Sequence, residues 1–254
     1  MKIEILGCYG NVTGNYRATS FLINDAMLID AGTTTEVLDD IRLSKIKNIF
    51  ISHTHIDHVK GIFAFADELA MLNLEGLKLL SVKNVINIIS KNLFNNLIWP
   101  DFTIIPSVNN AIIKLEEIAL EKETLIENIS IKPVLMTHTV YTVGYAIKEE
   151  GRGFMFTSDT GPTKRFWEVA REEKGIEFII ADVSFPNRME NLARLSGHMT
   201  LSILVDHLDR HGLGNFPVYI SHIKPVFMNE ISCELQTLSR KNIKLLEQGA
   251  VIEL

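Results

Sequence analysis

Cysteine is nearly absent: Cys8 and Cys233 are the only two in 254 residues. That excludes a disulfide framework and any cysteine-built zinc cluster, and leaves both as buried thiols by default. No apolar run approaches the ~18–20 residues of a membrane span. The opening MKIEILGCYGN carries Glu4 and no apolar leader core, so no signal peptide is expected. There is no lysine or arginine run, and 31 acidic against 25 basic residues give a net charge of −6. A chain built mainly to grip duplex DNA or long RNA would be basic. The 15 glycines and 7 prolines are scattered, with no linker, low-complexity tract or repeat of 20–50 residues. What is present is a 46% hydrophobic content, ample for a core. A cytoplasmic globular protein is expected.

Short β-like runs fall near 2–6, 19–30, 48–52, 129–136, 143–147, 153–157, 177–181, 217–221 and 249–254. Helical spacing appears near 59–73, 82–97, 163–174, 199–211 and 228–240. Strands are mixed with helices along the whole length, which means an α/β fold in the broad sense, and with no linker evident a single domain over 1–254 is expected. The least regular stretch, 84–128, reads as a helical insertion. Its aromatics Phe94, Trp99 and Phe102 are read as local packing or, alternatively, a lid over a site.

Four apolar runs end alike. Asn48-Ile49-Phe50-Ile51 leads to Ser52-His53, and Pro133-Val134-Leu135-Met136 to Thr137-His138. Phe154-Met155-Phe156 leads to Thr157-Ser158-Asp159, and Val218-Tyr219-Ile220 to Ser221-His222. Each is a buried strand delivering a metal-ligand residue type at its tip, where a rigid sheet can hold it closely. The first tip is the richest, with His53, His55, Asp57 and His58 in six positions. In an extended segment His53, His55 and Asp57 share one side, and His58 begins a turn or helix. Three imidazoles and a carboxylate suit Zn²⁺, and also Mn²⁺ or Fe, and so many donors can serve two divalent ions.

The pattern His53-x-His55-x-Asp57-His58 resembles the signature of the metallo-β-lactamase superfamily. The resemblance runs through nearly the whole chain, with His138, Asp159 and His222 following in order. It implies an αββα four-layer sandwich. It also implies one metal ion on His53, His55, His138 and Asp159, and a second on Asp57, His58, Asp159 and His222. Asp30, in Leu28-Ile29-Asp30-Ala31-Gly32, matches the family's buried aspartate, which supports a ligand by hydrogen bonding.

Fold does not fix substrate. Leu6-Gly7-Cys8-Tyr9-Gly10-Asn11 is similar to the N-terminus of the superfamily's phosphodiesterase branch, and Ala181-Asp182-Val183-Ser184-Phe185-Pro186-Asn187-Arg188, Ser196-Gly197-His198-Met199-Thr200 and Ile220-Ser221-His222-Ile223-Lys224-Pro225 are similar to segments of class-II cyclic nucleotide phosphodiesterases. The implied reaction is hydrolysis of a 3′,5′-cyclic nucleotide (cAMP or cGMP) to the 5′-monophosphate. Asp57 is expected to orient the attacking water and His198 to give a proton to the leaving 3′ oxygen. Ser184, Phe185 and Asn187 are the candidates for a base pocket. The alternative is another hydrolase of the same fold: a ribonuclease Z-like phosphodiesterase, a lactonase or a thioesterase. His207 and His211, four apart on one helix, read as a solvated face. The expected partners are a small nucleotide substrate and at most a second copy of the chain in a homodimer, with no extended nucleic acid and no membrane.

Overall fold

The computed structural model describes every residue, Met1–Leu254. The chain divides into two units, each built on its own sheet. The first comprises 1–7, 17–118 and 248–253. The second comprises 8–16 and 119–247, with Leu254.

The first unit contains β1 (Lys2–Gly7), β2 (Ser20–Ile23), β3 (Met27–Ile29), α1 (Asp40–Leu43), β4 (Asn48–Phe50), α2 (Ile56–Val59), α3 (Gly61–Met71), β5 (Leu77–Ser81), α4 (Lys83–Asn92) and β6 (Ile113–Glu117). The second contains β7 (Thr124–Ile126), β8 (Ile129–Leu135), β9 (Val143–Glu149), β10 (Arg152–Phe156), α5 (Arg165–Glu172), β11 (Ile176–Asp182), α6 (Glu190–Leu195), α7 (Leu201–Arg210), β12 (Val218–Ser221), α8 (Met228–Thr237) and β13 (Ile243–Leu245). The last strand, β14 (Val251–Glu253), returns to the first unit.

The two seven-stranded sheets have the same plan. In the first, β14-β1-β2-β3 pair antiparallel and β3-β4-β5-β6 parallel. In the second, β7-β8-β9-β10 pair antiparallel and β10-β11-β12-β13 parallel. Parallel strands inside a sheet lose both faces to neighbours, so they read as unbroken apolar runs. β4 and β10 do so, and Ile49, Phe50, Phe154 and Met155 have no exposed surface. The second unit's core joins Trp167 and Phe166 of α5 to Ile179, Leu204 and Ile220, all buried.

The helices expected near 59–73, 82–97, 163–174, 199–211 and 228–240 are α3, α4, α5, α7 and α8, each shorter than its apolar pattern. The stretch 84–128 departs from expectation. It is helical only to Asn92, and its later part holds strands β6 and β7. Asn95 Oδ1 accepts the N–H groups of Leu97 and Ile98, a local turn that competes with helix. β6 opens on buried Ile113 and exposed Lys114. Phe94 and Trp99 lie against Phe63 of α3, with ring centroids 6.1 and 5.7 Å away, and Phe102 is buried. Phe94 and Trp99 thus pack the segment onto α3.

Turns at the strand tips carry strain. Asp30 after β3, Ser158 after β10 and His222 after β12 have φ of 55°, 55° and 61°. Non-glycine residues in this region cost roughly 1–3 kcal/mol and persist where the surroundings hold them. At His222 the hold is visible: its N–H donates to the Cys8 carbonyl at 2.7 Å, and its carbonyl lies 3.0 Å from the Ser184 hydroxyl oxygen.

Candidate metal centre

In the first unit, β4 ends at Phe50 and its continuation places Ser52 and His53 in full burial. The extended stretch ends at His55, the N-cap of α2 with φ −64° and ψ 146°. Asp57 therefore sits on the first turn of a helix and does not continue the extended side of His53 and His55. The helix starts early because His58 N–H closes onto the His55 carbonyl at 2.9 Å. The rings of His53 and His58 are 4.2 Å apart, and those of His53 and His55 are 4.8 Å apart.

Asp30 organises this group from behind. It is fully buried, Oδ1 accepts the Ser52 N–H at 2.7 Å, and Oδ2 accepts the Ser52 hydroxyl at 2.7 Å. Oδ2 also meets His58 Nδ1 at 2.7 Å. Holding Nδ1 turns Nε2 of His58 outward as the ligating atom.

In the second unit, β8, β10, β11 and β12 deliver His138, Asp159, Asp182 and His222. His138 Nδ1 donates to the Gly197 carbonyl at 2.7 Å. Gly197 has φ 70°, and a Cβ there would stand 2.8 Å from His138 Nδ1, so the close approach requires glycine. Burial pushes the His138 imidazole below its ordinary pKa, against the pull of Asp159, which favours the neutral form a metal needs. Asp159 Oδ1 lies 3.2 Å from His222 Nε2, and its Oδ2 lies 3.8 Å from His138 Nε2. Gly10 lets the chain cross His222, where a Cβ would meet its carbonyl at 2.7 Å and its ring at 2.8 Å.

Asp159, Asp182, His198 and His222 each offer an atom within 4.8 Å of the others. Asp182 is occupied in another way. Its Oδ2 accepts the Thr160 N–H at 3.0 Å and meets His198 Nδ1 at 2.8 Å, and its Oδ1 accepts the Ser184 hydroxyl at 2.6 Å. The Ser184 oxygen also meets His222 Nδ1 at 2.9 Å. Asp182 thus fixes His198 directly and His222 through Ser184. Burial alone presses His198 toward the neutral form, but the charge and hydrogen bond of Asp182, with Asp159 beyond, hold its pKa above the ordinary value.

Asp182 was not among the residues expected to act. The signal was present, since Ala181-Asp182 closes a buried strand just as Ile29-Asp30 does. Asp30 follows β3 and Asp182 ends β11, and each takes a backbone N–H, a serine hydroxyl and a histidine Nδ1. Of the expected base-pocket residues, Ser184 is fully buried and spends its hydroxyl on Asp182 and His222. Asn187 Oδ1 accepts the Ser202 N–H at the start of α7, and its own N–H donates to Glu234 Oε1, so Asn187 is a joint between helices. Phe185 is 6% exposed, packed against His198 and Phe227. His207 and His211 stack on each other on α7, with ring centroids 5.9 Å apart.

The donor set fits metal ions. His58, His138 and His222 each have Nδ1 tied to a carboxylate, carbonyl or hydroxyl and present Nε2. A metal-binding histidine is normally held in this way.

The family model described as Anti-Pycsar protein Apyc1 matches residues 1–211. The chain belongs to that family. It is also similar to a protein of Yersinia pestis described as a probable 3′,5′-cyclic-nucleotide phosphodiesterase, 26% identical over 239 residues, covering 80% of this chain and 67% of that one. A 3′,5′-cyclic-nucleotide phosphodiesterase of Aliivibrio fischeri is 28% identical over 212 residues, 71% of this chain and 60% of that one. A ribonuclease Z of Archaeoglobus fulgidus is 22% identical over 303 residues, 92% and 95% of the two chains. Among solved structures, unliganded yeast PDE1 superposes with a TM-score of 0.81 at 17% identity, covering 100% of this chain and 99% of that one. The metallo-β-lactamase fold protein YhfI of Bacillus subtilis gives 0.78 at 16%, covering 99% and 98%. The fold is therefore that of the metallo-β-lactamases, as the histidine signature implied. No helix is long and apolar enough to cross a membrane.

Proposed function

We propose that the chain is a binuclear phosphodiesterase that opens 3′,5′-cyclic nucleotides to 5′-monophosphates. That it is a metal-dependent hydrolase follows from the relatives and the fold together. The finer reading rests on one observation, the Asp182–His198 pair beside Asp159 and His222. A ribose 3′ oxygen is a poor leaving group and needs a proton, whereas a thiolate does not. His198, with Nδ1 held by Asp182, offers Nε2 for that transfer.

In this reading His53, His55, His138 and Asp159 hold one ion, and Asp57, His58, Asp159 and His222 hold the other, Zn²⁺ first with Mn²⁺ or Fe as alternatives. Bound divalent ions neutralise phosphoryl oxygens and lower the pKa of water. Asp57 orients the attacking water, Asp30 fixes His58, and Ser184 fixes His222. The substrate is a small nucleotide, and the chain acts without membrane or long nucleic acid. The ribonuclease Z relatives favour a second reading, cleavage of an RNA phosphodiester, which the net charge of −6 opposes.

The test is metal-loaded protein given 3′,5′-cyclic nucleotides of all four bases, 2′,3′-cyclic nucleotides, short RNA, a thioester and a lactone, with products identified. A 5′-monophosphate from a 3′,5′-cyclic substrate is expected. Turnover of RNA, thioester or lactone with inert cyclic nucleotides would overturn the reading. Elemental analysis at saturation is expected to give two ions per chain, and one would reject the binuclear assignment.

A further inference from the structure

Lys224 follows the ligand-type residue His222 by two positions and opens the turn before α8. It is half-buried, and no carboxylate lies within ion-pair distance of its ammonium, although other half-buried lysines of this unit, such as Lys132 and Lys148, have one. Its position is nevertheless defined. Nζ donates to the Gly10 carbonyl at 3.2 Å and stands 5.8 Å from the centroid of the Phe185 ring. Phe185 is itself clamped, edge-on to His198 at 5.8 Å and tilted against Phe227 at 5.9 Å. The ring is a nearly buried platform beneath the lysine.

An ammonium has three donors, and the protein uses one. A half-buried ammonium with no carboxylate partner keeps its remaining donors for solvent or for an anion, and a hydrogen bond from it to a phosphate is charge-assisted. The Phe185 ring that Lys224 stands over is the same ring that meets His198, so the ammonium and the imidazole share one aromatic neighbour. The two unused donors therefore sit in the neighbourhood of the proposed proton donor, on a stem braced by an aromatic face and a backbone carbonyl.

We propose that Lys224 binds the phosphoryl group of the substrate, and of the 5′-monophosphate product, through these donors. Phe185 and the Gly10 carbonyl act as positioning groups that hold the ammonium in place. The inference rests on the phosphodiesterase reading for its substrate, but the phosphate site can be tested without turnover.

The experiment uses the full chain, metal-loaded and metal-free, as wild type, Lys224→Ala and Lys224→Arg. Inorganic phosphate is the probe, titrated calorimetrically and as a competitive inhibitor of bis(p-nitrophenyl) phosphate hydrolysis. Lys224→Ala is expected to weaken phosphate binding about 10–100-fold, the size of a lost charge-assisted hydrogen bond. Lys224→Arg is expected to recover most of it. Metal content should be unchanged, and the salt dependence of phosphate binding should flatten in the alanine variant. Equal phosphate affinity in wild type and Lys224→Ala, whether or not thermal stability falls, would overturn the inference. So would wild type that binds no phosphate at millimolar concentration. If phosphate binding behaves as expected while no phosphodiester is hydrolysed, the phosphate site stands and the proposed function falls. If cyclic nucleotides are hydrolysed and Lys224→Ala changes neither phosphate affinity nor KM, the function stands and the lysine's role falls.

Discussion

Replacing Asp182 by asparagine keeps the shape of a fully buried side chain while removing its charge and one acceptor. The carboxylate now takes three donors, from Thr160 N–H, Ser184 Oγ and His198 Nδ1, at 3.0, 2.6 and 2.8 Å. Thr160 and His198 share Oδ2, so the least costly amide orientation keeps oxygen there and turns the NH₂ toward Ser184. The serine hydroxyl can accept it and redirect its own proton to the His222 carbonyl, 3.0 Å away. The geometry survives, and charge-assisted bonds of roughly 1.5–3 kcal/mol become neutral ones of about 0.5–1.5. Over three bonds the loss is on the order of 3–4.5 kcal/mol, which a domain in the upper part of the about 5–15 kcal/mol range of stability withstands.

The larger effect falls on His198. Burial lowers its pKa, and Asp182 is the chief group that raises it. Without that charge, the folded pKa drops below the ordinary value. A proton donor works below its pKa, so the decline of activity with rising pH moves to lower pH in Asp182→Asn. At about pH 7.5 the kcat for a 3′,5′-cyclic nucleotide is expected to fall roughly 10²–10³-fold, within the range for general acid catalysis. Bis(p-nitrophenyl) phosphate, whose leaving group needs no proton at that pH, should lose much less. The assay is kcat and kcat/KM on both substrates from about pH 5.5 to 9, with metal content and thermal midpoint measured on the same samples. Equal losses on the two substrates with metal retained would refute the coupling of Asp182 to a proton donor. Loss of metal as the main effect would make Asp182 a ligand instead.

Asp30→Asn should leave the fold intact and weaken metal binding about 10–100-fold, because it releases the Nδ1 of His58, and chelator competition measures this. Glu173 accepts from Lys132 and Lys148 at 2.6 and 2.8 Å, and although burial works the other way, these two lysines hold its pKa below the usual carboxylate value. Its contribution to stability is present above the unfolded pKa of about 4.3 and is lost as pH falls through the lower folded one. Urea midpoints should therefore show Glu173→Gln about 1–2 kcal/mol less stable at pH 7, with the gap closing toward pH 3.5; a constant gap would contradict the ion pairs. Burial, with Glu247 nearby, pushes the Cys8 thiol up to about 12, whereas Cys233 is exposed. Iodoacetamide at pH 8 should label Cys233 alone in folded protein and both thiols after unfolding, read by mass spectrometry.

Much of this protein is written locally. The apolar runs before His53, His138, Asp159 and His222 made those strands legible, because a strand buried on both faces needs an unbroken run and a rigid tip displays the side chains just beyond it. The spacing of His53, His55, Asp57 and His58 declared metal chemistry without any fold. Other elements were silent for identifiable reasons. β5 is leucine-rich, with weak strand preference, and is a strand because β4 and β6 pair with it on either side. β6 and β7 lie in a stretch whose short runs match neither period for long enough to decide. The shared plan of the two sheets left no sequence repeat, since strand order is kept by pairing and not by identity of residues.

At the centre, tertiary structure decided which polar residues face a ligand and which hold one that does. Asp182, Ser184 and Asn187 are all polar residues near a strand tip. Only their partners in space, His198, His222 and the start of α7, show that they support the site from within. The lack of a carboxylate near the half-buried ammonium of Lys224 is likewise a fact about space. Sequence fixes residue types and their local periodicity, but donors and acceptors find each other across gaps of 16 and 38 residues, as His198 and His222 do with Asp182 and Ser184.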